Sequence, residues 1–146
     1  MNGEDHKWQP EDVLHAHYPQ VGVHDVDLRP LRLLGRITPR GIEVEKTCRQ
    51  RERRSTLAHE LVHLERGIAP YHPHYTLREE RIVDEIAARR LIPLDDLFNA
   101  MIWCQGRVDD EVAEELGVDL DTLNTRINTL EPCEQQWLER QINRFR

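Results

Sequence analysis

The sequence predicts an α+β fold, in which a small N-terminal β-sheet of about three strands packs on two central helices and a helical C-terminal tail follows. Three observations carry this prediction. Short runs of β-branched and aliphatic residues lie near the start of the chain. Apolar residues recur at helical spacing from Thr47 onward. Glycines and prolines then divide the last part of the chain into short helical segments.

The N-terminal part contains one short helix and three short strands. "PEDVLHAHYP" predicts the helix, because Pro10 suits a first helical turn and Pro19 cannot continue the helix. "VGVHDVDL", "LRLLGRI" and "GIEVEK" predict the strands. "TPRG" lies between the last two runs, so we expect it to form a hairpin turn.

The first central helix is predicted from Thr47. Thr47 and Gln50 have the spacing of a capping box, in which two side chains satisfy free backbone N–H groups at a helix start. Gly67 suits the left-handed turn that ends many helices. Helical spacing predicts a buried stripe that consists of Leu57, Leu61, Leu64 and Ile68.

The second central helix is predicted from a capping box at Thr76 and Glu79, and Pro93 ends it. Four more helices are predicted in "LDDLFNAMIWC", "DDEVAEELG", "LDTLNTRINTL" and "PCEQQWLERQINRFR". We therefore divide the chain into a core at residues 1–95 and a helical C-terminal extension at residues 96–146.

Charge and hydropathy predict a cytoplasmic protein. The net charge of −7 disfavours binding to nucleic acid or to an anionic membrane. No apolar run approaches the roughly 18 residues that span a bilayer, and the polar N-terminus is unlike a signal peptide. The three cysteines form no Cys-x-x-Cys pair and predict reduced thiols.

The one dense basic stretch, which we interpret as a solvated helix face, comprises Arg49, Arg51, Arg53 and Arg54.

His59, Glu60 and His63 form a His-Glu-x-x-His motif within the first central helix. Residues four apart lie one turn above another, so both imidazoles can point at one cation. Glu60 lies about 100° round the helix from His59 and is placed to act on a water molecule. Zinc lowers the pKa of such a water to about 7, and a carboxylate beside it can pass the proton to a leaving amine. The motif predicts a hydrolytic zinc site with Glu60 as general base.

A catalytic zinc site has three protein ligands, so the motif needs one more. "REERIVDEIAA" offers Glu80, with Asp84 one turn further on. Asp84 could accept a hydrogen bond from the free ring nitrogen of a ligating histidine and so fix its tautomer. Glu79 is the main alternative for the third ligand, and His72 or His74 is a weaker one.

"RRSTLAHELVH" and "EERIVDEIAARRLIP" resemble the two signatures of the ImmA/IrrE metallopeptidases, a minimal gluzincin family of bacteria, phages and mobile elements. The resemblance covers roughly residues 10–95. It implies that the zinc ligands are His59, His63 and Glu80 and that the general base is Glu60. Asp84 falls on the family's Asn/Asp position. Val83 and Ile86 depart from the alanine and phenylalanine that are usual there, and both are predicted packing positions.

The resemblance also implies a function. Family members cleave a cognate helix-turn-helix repressor, so we expect a zinc endopeptidase that acts on a protein partner of this kind. Two alternatives stay open: a catalytically silent module of the same fold that keeps the metal and binds the partner, and a DNA-binding regulator that uses the tail. Glu60 favours the enzyme, because a purely structural site has no use for a base beside an open coordination position.

"VAEELGVDLDTLNTRINTL" has helix-turn-helix character, with Gly117 at the turn and packing positions at Ala113, Val118, Leu123 and Ile127. Seven acidic residues between positions 109 and 121 lie close to Arg126, an almost isolated cation. Phosphates would be repelled by this much negative charge, so we do not expect nucleic-acid binding. The sequence favours a packing or partner-docking module, which Trp103 and Trp137 are expected to help bury.

Overall fold

The computed structural model describes residues 7–67 and 73–145, and within residues 73–76 it describes the backbone alone. The fold is α+β, as predicted. The elements in chain order are α1 Pro10–His17, β1 Val23–Val26, β2 Gly35–Thr38, β3 Gly41–Glu45, α2 Gln50–Arg66, α3 Pro73–Leu91, α4 Leu94–Trp103, α5 Asp110–Leu116, α6 Leu120–Asn128 and α7 Pro132–Arg144.

The three strands form one sheet in the order β1-β3-β2. β1 runs parallel to β3, whereas β2 and β3 form an antiparallel hairpin in which Thr38 pairs with Gly41. This confirms the turn predicted at "TPRG". Gly41 has a φ of 124° and lies so close to the backbone of Gly22 that no side chain would fit. β2 is left at the edge of the sheet, on the side where it meets α2.

The capping box predicted at the start of α2 is wrong. Thr47 donates a hydrogen bond from its backbone N–H to the Glu45 carboxylate at 2.8 Å, so it does not cap the helix. Gln50 is already the first helical residue. Arg49 occupies the N-cap position instead, and its backbone N–H donates to the Glu52 side chain at 3.2 Å. The helix therefore starts two residues later than a Thr47 cap requires, because Thr47 is hydrogen-bonded to the Glu45 carboxylate and not to the first turn of the helix.

The second capping box is also wrong, whereas the end of α2 is as predicted. Gly67 has a φ of 65° and ends α2 in a left-handed turn. α3 begins at Pro73, before Thr76, because proline suits the first turn of a helix. Glu79 is held by the guanidinium of Arg66 at a distance from Nη2 to Oε2 of 3.1 Å, so its carboxylate serves another contact.

The core has two parts that meet at α2. One part lies between the sheet, α1 and α2 and contains Leu14, Ile42, Val44, Leu57 and Leu61. The other joins α2 and α3 to the four later helices and includes Val62, Val83, Leu97, Val118 and Leu123. The described members of the predicted stripe on α2 all lie in the first part, with Leu57 and Leu61 buried and Leu64 partly buried, and Ile68 lies outside the described residues. The division of the chain after residue 95 stays a prediction, although α4–α7 share their core with α2 and α3.

The basic stretch of α2 is not the solvated face that we expected. Arg54 is only 6% exposed and donates to the backbone carbonyls of Trp8 and Gly117 at 2.7 and 3.0 Å. Arg51 pairs with the Asp110 carboxylate at 2.8 Å. These side chains tie α2 to the N-terminal segment and to α5, so they are structural links between elements distant in sequence.

Trp103 does not help to bury the tail. It lies at the end of α4 and is 83% exposed, contrary to the prediction. Trp137 does pack, because its ring lies edge-on to Phe98 with the centroids 5.7 Å apart. Among the described residues, no helix is both long and apolar enough to cross a bilayer.

Candidate metal centre

His59 and His63 lie on neighbouring turns of α2, and their side chains converge. The two Nε2 atoms are 3.1 Å apart, and the ring planes are nearly perpendicular at 72°. Helical spacing accounts for the approach, since side chains at i and i+4 lie on one face. Both rings are partly buried, so few other orientations are open to them.

Glu80 reaches the same point from α3. Its carboxylate oxygens lie 2.9 Å from His59 Nε2 and 2.9 Å from His63 Nε2. The packing that positions it is apolar, because Val83 and Ala87 of α3 are buried in the core shared with α2, and Ala88 is fully buried as well. The two small alanines let α3 approach closely, so the carboxylate faces the two imidazoles.

The three side chains fit a divalent metal ion. Each offers one ligand atom, and these atoms lie within 4.8 Å of one another. A tetrahedral zinc site with bonds of about 2.1 Å holds its ligand atoms about 3.4 Å apart. The two imidazole nitrogens are 3.1 Å apart, and each lies 2.9 Å from a different oxygen of Glu80, so small side-chain movements bring one oxygen into place. Two imidazoles and one carboxylate are also a donor set that zinc accepts.

Asp84 contacts His59 on the side away from Glu80. Asp84 Oδ1 lies 2.8 Å from His59 Nδ1, which leaves Nε2 directed at the shared point. Burial lowers the pKa of His59, but the hydrogen bond with Asp84 and the charges of Glu60 and Glu80 outweigh it, so the pKa is raised. The negative potential that retains a proton here also favours a metal cation in its place.

Glu79, the main alternative for the third ligand, points elsewhere. Its carboxylate is bound by Arg66, and this hydrogen bond is the main reason that its pKa is lowered. A carboxylate held in this way is not free to join the histidines. The weaker alternatives, His72 and His74, fall outside the described side chains.

Glu60 is a buried carboxylate beside the three candidate ligands. It is 7% exposed, and burial is the main cause that raises its pKa to about 7, aided by Glu80 and opposed by His59. A carboxyl group with this pKa can both accept and release a proton near neutral pH. Glu60 is thus a buried carboxyl group near the candidate ligands, and its role as general base stays a prediction.

A cleft of about 330 Å³ opens beside His59 and Glu60. Its walls come from four parts of the chain: the segment that leads into β2, one side of α2, Asp84 and Ala87 of α3, and α6 from its N-cap to Thr125. Asp121 and Thr122 belong to the α6 wall. Sequence reasoning missed this wall, because the tail carried no motif that linked it to the site.

The packing positions predicted in the tail explain how α6 reaches the cleft. Gly117 has a φ of 71° and turns the chain between α5 and α6. Leu123 is fully buried, which fixes α6 against the core. Arg126 is only 2% exposed and donates to the Ile92 carbonyl at 2.8 Å and to Glu134. The cation that a DNA-reading helix would need is therefore occupied inside the protein.

Residues 13–128 match the sequence model of a peptidase family described as the IrrE N-terminal-like domain. The chain belongs to this family. The match includes the candidate ligands and Glu60, and it extends past residue 95 to the end of α6. Membership supports a metallopeptidase fold, in which the His–His–Glu group could hold a metal ion. No curated protein and no solved structure is significantly similar to the chain.

Proposed function

We propose that this member of the IrrE-like peptidase family is a zinc-dependent endopeptidase that hydrolyses a peptide bond in a protein partner. One observation carries the proposal: three convergent ligand atoms, from His59, His63 and Glu80, lie beside the buried carboxylate of Glu60 at an open cleft. A structural metal site is closed by a fourth protein ligand, whereas a catalytic one keeps a position open.

Each side chain has a distinct task in this proposal. His59, His63 and Glu80 would hold the ion, and Asp84 would keep His59 in the tautomer that presents Nε2. Zinc, when bound, supplies Lewis-acid activation of water and of the substrate carbonyl. The Glu60 carboxylate accepts a proton from the attacking water and delivers it to the leaving amine nitrogen.

A stretch of polypeptide would enter the cleft between the segment that leads into β2 and α6, with His59 and Glu60 beside it. A helix-turn-helix repressor is the partner that we propose, on the basis of the family resemblance alone. A role in reading DNA is disfavoured by the net charge of −7 and by the burial of Arg126.

The decisive experiment is zinc analysis and partner cleavage with three forms of the protein: wild type, Glu60→Gln and Glu80→Ala. We expect Glu60→Gln to keep one zinc ion per chain and lose cleavage of a co-expressed helix-turn-helix repressor, because the amide cannot accept the proton. Glu80→Ala should lose both. Cleavage by Glu60→Gln at the wild-type rate would refute the proposed mechanism.

A silent metal-binding module is distinguished by the same proteins. It would bind zinc and the repressor without cleavage in wild type, and Glu60→Gln would behave identically. Cleavage by wild type excludes this alternative.

A further inference from the structure

Gly35 is the first residue of β2 and lies directly over the part of α2 that carries the candidate base. Its partner across the hairpin is Val44 of β3. Its backbone conformation is one that residues with side chains adopt freely, so conformational freedom does not explain the glycine. Space does explain it. A Cβ atom at this position would overlap the Cγ2 methyl of Thr56 and lie 3.5 Å from Glu60 Oε1.

The neighbours of Gly35 have little freedom to move aside. Thr56 is 8% exposed and lies within α2, one turn before Glu60. On its other side β2 is held by β3, and a Cβ atom at residue 35 would also lie 3.4 Å from the backbone carbonyl of Glu43. A side chain at residue 35 is therefore confined between a buried helix and a paired strand.

We propose that Gly35 is a positioning residue, whose lack of a side chain lets β2 lie against Thr56 and keeps the Glu60 carboxylate buried at the edge of the cleft. The inference rests on the proposed function for its catalytic consequence. The structural part of the inference does not depend on the proposed function, because the contact between β2 and α2 exists whatever reaction the site performs.

A methyl group at residue 35 has two ways to be accommodated. Either the start of β2 moves away from α2, or the side chains of Thr56 and Glu60 are displaced. Both outcomes change the position of the carboxylate relative to the cleft. Misplacement of a catalytic group by about 1 Å can cost about 100-fold in rate. None of the three ligands is among the three atoms nearest to a Cβ at residue 35, so we expect metal binding to be retained.

The test uses Gly35→Ala, Thr56→Ser and the double variant, because Thr56→Ser keeps the hydroxyl and removes the methyl that a Cβ at residue 35 would overlap. Gly22→Ala is the matched control. It is the same substitution next to the same sheet, but its nearest neighbour is the end of the exposed His24 side chain, which can swing away. Zinc content, crystal structures of the zinc-loaded proteins, and kcat and KM on a quenched fluorescent library of random octapeptides are measured.

We expect Gly35→Ala to bind one zinc ion per chain, to show β2 or Glu60 displaced, and to lose about 100-fold in kcat with a smaller change in KM. In the double variant, β2 and Glu60 should return to their positions in Thr56→Ser, and kcat should return to the Thr56→Ser value. A purely structural role would lower stability without this recovery of kcat. Gly22→Ala should match wild type.

Three results would each overturn the inference. The first is a Gly35→Ala structure in which β2 and Glu60 keep their wild-type positions. The second is a displaced structure with unchanged kcat, and the third is a double variant that does not recover kcat. If wild type itself cleaves neither the library nor the repressor, the proposed function fails, and the crystal structures alone decide whether Gly35 positions the carboxylate.

Discussion

Removal of the Asp84 carboxylate should weaken zinc binding without unfolding the protein. Asp84 contacts the proposed ligand His59 at 2.8 Å between Oδ1 and Nδ1, on the side opposite the shared metal point. Without this acceptor the imidazole can rotate or take the other tautomer, so part of the zinc-binding energy must reorder it. Asp84 is exposed on α3, and alanine is a good helix former, so folding should not suffer.

The size of the effect follows from the contact and its exposure. Loss of such a supporting hydrogen bond typically weakens metal affinity by about 10- to 100-fold. The side chain of Asp84 is 51% exposed, so solvent screens its charge and the lower end applies. We expect Asp84→Ala to weaken zinc affinity about tenfold, which is about 1.4 kcal/mol. Asp84→Asn keeps an acceptor oxygen but loses the charge, so about half of that energy should remain, a loss of roughly threefold.

Competition with a calibrated zinc chelator at neutral pH measures both variants. Asp121→Ala is the control, because this carboxylate lies in the same cleft but belongs to α6. It should change zinc affinity less than twofold. Equal weakening by Asp121→Ala would mean that only the net charge of the cleft matters. Unchanged zinc affinity in Asp84→Ala would refute the proposed support of His59.

Two further predictions concern stability. Hydrogen bonds from its arginine partners lower the pKa of Glu134 to about 2 from the ordinary 4.5, so its contribution is present above pH 4.5 and is lost as the pH falls towards 2. We expect Glu134→Gln to reduce the free energy of unfolding, measured in urea, by about 2 kcal/mol at pH 7, and this difference should vanish near pH 2. The control is Glu139→Gln, which is exposed on the same helix and should have little effect. A pH-independent difference would contradict this assignment. Trp103→Ala should change the free energy of unfolding by less than about 0.5 kcal/mol, because Trp103 is exposed. Trp137→Ala loses the contact with Phe98 and should lower it by at least about 1.5 kcal/mol. Similar values for the two variants would contradict the observed difference in exposure.

The sequence predicts well those features that depend on local chemistry. Proline marks helix starts because its φ is fixed, and glycine marks helix ends because it adopts the left-handed conformation readily; Pro10, Gly67 and Gly117 lie where expected. The His59–His63 approach follows from helical geometry alone. The order of Glu80 after the motif, with Asp84 one turn on, predicted that Glu80 approaches the histidines, and its carboxylate oxygens lie 2.9 Å from both imidazoles.

The errors arise where two partners compete for one group. The caps at Thr47 and Thr76 match a spacing rule, but that rule does not include acceptors elsewhere in the chain. Glu45 is such an acceptor for Thr47. Arg54 looked solvated in the sequence, because the carbonyls that it binds belong to segments more than 30 residues away. Trp103 is an error of the opposite kind, because this large aromatic residue was expected to be buried and is exposed.

The tail illustrates how a long-range contact changes the functional interpretation of a segment. Its helix-turn-helix character is a local property, and the structure retains it in α5, Gly117 and α6. Local patterning could not reveal that α6 packs on α3 through Leu123 and that its first half forms a wall of the cleft. Arg126 fixes this arrangement from inside by binding the carbonyl of Ile92, 34 residues before it, and the carboxylate of Glu134 at the start of α7. A helix held in this way has its buried face committed to the core and its remaining face next to His59 and Glu60. It follows that α6 is placed to contact whatever enters the cleft, so substitutions there should alter substrate choice before they alter zinc binding.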